Sequence, residues 1–185
     1  MSSQRLFVAL PVPAHVRTLI TAAAAPARDA APELTWTRSE GWHLTLGFLG
    51  DVADEAVADV GRVIAAVVAP RAAITCALDR PDRFGHRTLW LGVRDDPEGA
   101  ISSLGDAVQT GLEAAGLPVR RGPVRPHLTL ARASRSGAEV TDAVVGSVAP
   151  VGASWEADEV QLVRSHLGGG PARYEPVGAW PLAGS

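Results

Sequence analysis

Trp42-His43-Leu44-Thr45-Leu46-Gly47-Phe48-Leu49-Gly50 is the stretch from which the rest of the chain is best read. Its central tetrapeptide returns unchanged as His127-Leu128-Thr129-Leu130. In a β-strand, residues i and i+2 share a face. His43 and Thr45 therefore point one way, and Leu44 and Leu46 the other; the second copy repeats this with His127 and Thr129 against Leu128 and Leu130. The leucines suit burial under a helix layer, and the polar pairs suit a groove. Each copy sits inside its own set of strand and helix patterns, which predicts a duplicated unit: two lobes related by a pseudo-two-fold axis.

Working outward, Arg5–Leu10 reads as a buried first strand ended by Pro11 and Pro13, and Ala14–Ala27 as an Ala-rich helix. Trp42–Leu49 is a second strand. Asp54–Val68 carries Val57, Val60, Ile64 and Val68 at helical spacing. Ile74–Leu78 and Leu89–Val93 read as strands joined by a loop over Pro81–Gly85. A helix opened by Pro97 runs to about Ala115 and is closed by Gly116. Pro126–Ala131 is a strand, Val140–Val148 a short helix, and Glu159–Arg164 and Tyr174–Trp180 closing strands. This order predicts an α+β fold with mostly antiparallel sheet rather than a Rossmann alternation. No Gly-rich dinucleotide fingerprint follows the first strand, and no low-complexity linker divides the chain.

Composition excludes several chemistries. All 17 basic residues are Arg, against 20 acidic residues, for a net charge of −3. With no lysine there is no Schiff base, no lysine-adenylate intermediate and no P-loop lysine. The same bias fits a GC-rich genome. Cys76 is the single cysteine, so an internal disulfide and a multi-cysteine metal site are excluded; its strand pattern predicts an inert core thiol. No uncharged apolar run reaches the ~18 residues of a membrane span. A cytoplasmic protein is therefore expected. Between Glu113 and Glu139 there are no acids but five arginines, Arg120, Arg121, Arg125, Arg132 and Arg135. A local basic patch on an acidic chain suits a small anion or one nucleic-acid end better than a long duplex.

The repeated motif supplies the chemistry. Two imidazoles flanking one substrate can serve as base and acid near neutral pH, and two hydroxyls can hydrogen-bond non-bridging phosphate oxygens as charge builds on them. That set suits phosphodiester hydrolysis without a metal. Two histidines with no neighbouring carboxylate make a poor metal site, and neither copy has the spacing of a zinc motif. Symmetry in the sequence leaves open which histidine gives the proton and which takes it.

These residues resemble the 2H phosphoesterase superfamily, and within it the bacterial RNA 2′,3′-cyclic phosphodiesterases first described as 2′-5′ RNA ligases. The likeness runs from Arg5–Pro11 through Trp42–Gly50, Leu89–Val93, Arg125–Arg132 and Val160–Ser165 to Tyr174 and Trp180. It implies a single domain over residues 1–185 made of two interleaved lobes, with two mostly antiparallel sheets flanking a central cleft and helices outside. It implies opening of a 2′,3′-cyclic phosphate to a 2′-phosphomonoester without metal or cofactor, with a minor reverse 2′-5′ ligation. It further implies His43 as proton donor, His127 as proton acceptor, and Thr45 and Thr129 as phosphate holders. The expected partners are RNA ends or nucleoside 2′,3′-cyclic phosphates, with no membrane, no obligatory protein partner and a monomeric state. The alternatives are another 2H activity, on ADP-ribose cyclic phosphate or 2′-5′ oligonucleotides, or a nucleotide-binding module without turnover.

The resemblance also implies Arg132 as a phosphate or RNA contact, although strict alternation from His127 puts it on the opposite face unless the strand bends. Phe7 is a base-stacking or core residue. Trp36 and Trp42 flank the first motif, where either could stack a base. His15, His86 and His166 read as surface residues.

Overall fold

A computed structural model of the chain describes residues 2–133, 137–166 and 172–182. The first strand, β1 (Ser3–Pro11), leads into helix α1 (Ala14–Ala30), a two-residue strand β2 (Thr35–Trp36), and β3 (His43–Ala53), which holds the first motif. Helix α2 (Val57–Val68), β4 (Ile74–Phe84), β5 (Thr88–Asp96) and helix α3 (Ala100–Ala114) follow. The second motif opens β6 (His127–Arg132). A one-turn helix α4 (Asp142–Gly146) and β7 (Ser154–Ala157), β8 (Glu159–His166) and β9 (Arg173–Pro181) complete the fold.

The strands form two sheets, ordered β3-β1-β8-β9 and β2-β6-β5-β4-β7, with every pairing antiparallel. This is the expected α+β architecture. Leu44, Leu46, Leu128 and Leu130 are all at most 1% exposed and join one core with Leu6, Val8, Leu10, Leu89 and Leu91. The helices add their apolar stripes to it, including Val16 and Ile20 of α1, Val60 and Ile64 of α2, and Leu104 and Val108 of α3. Cys76 is fully buried there, and burial pushes its thiol up to about 12, so it is inert. Among the described residues no helix is long and apolar enough to cross a membrane.

Several boundaries differ from the sequence reading. The Pro81–Gly85 segment is not a loop: β4 runs on to Phe84 with a register irregularity between Leu78 and Pro81, where proline lacks the N–H that a regular ladder needs. Helix α1 continues past Pro26 to Ala30. Helix α3 starts at Ala100 rather than at Pro97; the Asp95 carboxylate accepts from the N–H groups of Gly99 and Ile101 and so satisfies its first turn. The short β2 and β7 carry too little alternation to be seen in the sequence.

Both motif strands share one departure from regular alternation. On β3, Val8 faces Gly47 and Ala9 faces Thr45, so Leu46 is an extra residue. On β6, Leu89 faces Ala131 and Trp90 faces Thr129, so Leu130 is extra in the same way. Each bulge sends two successive residues into the core, Leu46 with Gly47 and Leu130 with Ala131, and returns the next residue to the motif face. Phe48 and Arg132 are those next residues.

Each bulge leaves a leucine carbonyl that needs a donor. Leu130 O accepts from Thr37 N at 2.9 Å, and Leu46 O accepts from the Gln109 side-chain amide at 3.0 Å. Thr37 and its neighbours follow α1 yet flank β6, with Thr35 opposite Arg132. The chain after α3 makes the reciprocal crossing, and Arg120 N donates to Phe48 O on β3 at 2.7 Å. Gln109 also accepts from Gly122 N at 3.0 Å while only 3% exposed, so one buried amide ties this crossing segment to the bulge. Replacing Gln109 with Leu strands both partners; the expected loss is about 1–3 kcal/mol of unfolding free energy, measurable by urea denaturation.

Candidate active site

The two sheets meet at a cleft of about 630 Å³ whose wall includes His43, Thr45, His127 and Thr129. The repeat thus brings its four polar side chains to one volume. Arg132 and Phe7 line it as well. Arg132 reaches the cleft through the bulge at Leu130, which corrects the face that strict alternation assigns to it. The only sequence sign of that bulge is the small residue after each motif, Gly47 or Ala131. A Cβ on Gly47 would already stand 3.3 Å from Gln109.

Both imidazoles are held alike. His43 Nδ1 lies 2.7 Å from the Gly41 carbonyl, and His127 Nδ1 lies 2.6 Å from the Arg125 carbonyl. A carbonyl only accepts, so Nδ1 carries the hydrogen in both rings and the Nε2 lone pair is left for the cleft. Aromatic rings fix the planes. His43 packs on Phe7 at 4.6 Å between centroids and edge-on to Tyr174 at 5.1 Å; His127 lies edge-on to Phe84 at 5.0 Å and Trp90 at 6.0 Å. Gly41 leaves room for Tyr174, whose ring a Cβ there would approach to 3.1 Å.

The charge lining the cleft is one that suits an anion. Arg5, Arg120 and Arg132 line the cleft, and among the described residues no carboxylate does. Burial lowers the His43 pKa from 6.5 to about 4, helped by His127 and Arg132 and opposed by the Gly41 hydrogen bond. Burial also lowers that of His127; Arg132 adds to the effect, and the Arg125 carbonyl opposes it. Arg132 therefore acts on both rings. Among the described residues no cluster of three or more His, Cys, Asp or Glu could hold a metal ion.

The sequence reading missed some of this wall. Arg5, Phe48 and Tyr174 line the cleft. Arg5 and Phe7 alternate with Leu6 and Val8, so the first strand has two working faces: one in the main core, the other in a small cluster of Phe7, Ala9 and Val163 under the cleft. The basic patch divides. Arg120 and Arg132 reach the cleft; Arg121 bonds Thr110 and Glu113 on the outer face; Arg135 lies outside the described residues. Neither Trp36 nor Trp42 lines the cleft. Trp42 is 4% exposed in the core, and Trp36 hydrogen-bonds Ala31 O under Arg28. His15 and His86 are exposed, and His166 is exposed and paired with Glu175.

Comparison with known proteins agrees with the geometry. Residues 12–169 match the 2′-5′ RNA ligase superfamily. The chain is 30% identical over 185 residues to an RNA 2′,3′-cyclic phosphodiesterase of Escherichia coli K12, covering 97% of each. It is also 30% identical over 189 residues to a Geobacillus stearothermophilus protein of the same description, where it spans all of this chain but 59% of that relative's length. The crystal structure of apo E. coli LigT superposes with a TM-score of 0.78 at 27% identity, covering 98% of this chain and 99% of that one. LigT has also been crystallised with 3′-AMP.

A histidine whose folded pKa lies below its unfolded value contributes stability that is present above the unfolded pKa and lost as pH falls through the folded one. Stability should therefore drop as pH falls from 6.5 toward about 4. In His43→Asn that slope should be shallower, as melting temperature against pH will show. NMR titration should find both rings in the Nδ1–H form at neutral pH and His43 protonating near 4.

Proposed function

The chain belongs to the 2′-5′ RNA ligase superfamily, the 2H phosphoesterases, and on that premise we propose that it is an RNA 2′,3′-cyclic phosphodiesterase. It opens terminal 2′,3′-cyclic phosphates to 2′-phosphomonoesters. The observation that carries this reading is the pair of identically held imidazoles, each with Nε2 left for one arginine-lined cleft.

In this reading His127 Nε2 takes a proton from water as the water oxygen bonds phosphorus. The bond from phosphorus to O3′ breaks, and His43 Nε2–H supplies the proton to O3′. One proton enters at His127 and one leaves at His43, and solvent resets the pair. The Thr45 and Thr129 hydroxyls and the Arg132 guanidinium donate to the non-bridging oxygens, whose charge grows in the transition state. A depressed pKa makes protonated His43 a strong acid, suited to an alkoxide leaving group. The bound phosphate anion offsets the neighbouring arginine charge and raises both imidazole pKa values, so the donor acquires its proton when substrate arrives. The orientation of donor and acceptor follows the family resemblance. The same reading has the protein act as a cytoplasmic monomer on RNA ends or nucleoside 2′,3′-cyclic phosphates, with 2′-5′ ligation as a weak reverse reaction.

Incubation with nucleoside 2′,3′-cyclic phosphates in EDTA should give 2′-phosphates at an undiminished rate. His43→Ala or His127→Ala should lower kcat by about 10²–10⁴-fold without loss of fold; full activity in either variant would sink the two-histidine mechanism. The pH profile of kcat/KM should be a bell displaced to the acid side of an ordinary histidine, because both free-protein pKa values are lowered. The kcat profile should lie at higher pH.

A further inference from the structure

Among the described residues three arginines line the cleft, and the reacting phosphate accounts for one of them. Arg132 follows the second motif on β6, and its charge acts on both imidazoles. Arg5 and Arg120 lie elsewhere on the wall. Arg5 is two residues from Phe7 on the same face of β1, so it stands about 7 Å along the strand from the ring that packs on His43. Arg120 is held to β3 by its backbone hydrogen bond to Phe48 O, on the side away from β1. In the β1–β3 ladder Arg5 faces Asp51. The two arginines therefore flank β3 from its two sides over Phe48–Asp51, past the His43 and Thr45 pair.

Arg62, Arg83, Arg94, Arg121 and Arg164 each form an ion pair, whereas among the described residues Arg5 and Arg120 form none, and Asp51 lies opposite Arg5 without pairing to it. Two like charges on one wall repel each other unless an anion comes between them. Gly50 lies on β3 between them, and a Cβ there would meet nothing within 4 Å, so this part of the wall is open. The cleft also continues past Arg5. Arg5 and Ser165 line a second pocket of about 460 Å³ with Gln4, Arg164 and His166. Arg164 and His166 are engaged there by Gln4 and Glu175, so the charge left at the junction is that of Arg5.

A 2′,3′-cyclic phosphate uses both O2′ and O3′ of its ribose. The terminal nucleotide of an RNA then joins the rest of the chain only through O5′, and the next anion along is the phosphodiester there. We propose that Arg5 and Arg120 form a second anion subsite for this 5′-side phosphate, so that the cleft is built for RNA chain ends in preference to lone nucleoside cyclic phosphates. The chain leaves past Arg5 by way of the second pocket. Guanidinium groups donate to a phosphodiester whatever base it carries, so the subsite adds affinity without reading sequence. The inference rests on the cyclic phosphodiesterase reading and adds to it where a second phosphate binds.

The test compares adenosine 2′,3′-cyclic phosphate with and without a 5′-phosphate, a pair that differs only in the group concerned. Wild-type kcat/KM should be about tenfold higher with the 5′-phosphate, through KM. In the double variant Arg5→Gln, Arg120→Gln this ratio should fall to within about twofold of unity. Arg121→Gln removes a neighbouring charge from the outer face and should keep the ratio. A dinucleotide ending in a 2′,3′-cyclic phosphate should show the same preference and the same loss. A wild-type ratio near unity, a ratio that survives the double variant, or an equal fall in Arg121→Gln overturns the subsite; a 5′-phosphate preference that the dinucleotide lacks overturns its assignment to RNA chains. Calorimetry with adenosine 2′,5′-bisphosphate and 2′-AMP separates this claim from the reaction itself. The bisphosphate should bind about tenfold more tightly, and the double variant should erase that difference even if no cyclic phosphate is turned over. Turnover with equal affinity for the two ligands overturns the subsite alone.

Discussion

Four buried leucines and the two bulges among them are the constraint on which the cleft depends. Leu44 and Leu128 anchor the motif strands in the core, and alternation then forces His43, Thr45, His127 and Thr129 outward. Leu46 and Leu130 are each the extra residue of a bulge, so the face changes once more before Phe48 and Arg132. A regular strand would turn Arg132 into the core. Hydrophobic burial thus aims polar groups it never touches, at a position one residue away from where a simple strand would put them.

The bulges also explain how the two halves hold each other. A bulged carbonyl is unpaired in its own ladder, and each is satisfied from the other half: by Thr37 after α1 on one side, and on the other by Gln109 of α3, which also holds Gly122 of the segment after that helix. Neither motif strand is therefore finished by its own half. The cleft lies where these exchanged segments meet, and Thr37 and Arg120 both line it.

Near-symmetry in the backbone coexists with asymmetry in the chemistry. Both imidazoles donate Nδ1–H to a carbonyl two residues upstream, so both present the same nitrogen to the substrate. Their surroundings then diverge. His43 sits among Phe7 and Tyr174 and is the ring for which the depressed pKa reaches about 4; His127 sits against Phe84 and Trp90. An asymmetric cleft of this kind can hold an asymmetric ligand in one orientation, whereas a perfect dyad would bind it both ways round.

The sequence by itself determined the motif faces, the antiparallel α+β class, the main helices and strands, and the inert Cys76. All of these follow from local periodicity, or from a repeat visible in one dimension. It did not determine which way Arg132 points, because a bulge is set by the partner strand and by who satisfies the freed carbonyl, in this case residues far along the chain. It likewise misjudged Trp42 and left Arg5 and Phe48 unmarked, since an apolar or charged residue beside a motif is equally at home in core, solvent or cleft until the sheets close over it. Only the tertiary structure decided these, because burial, imidazole pKa and cleft membership depend on how two sheets meet, and no alternation within one strand encodes that.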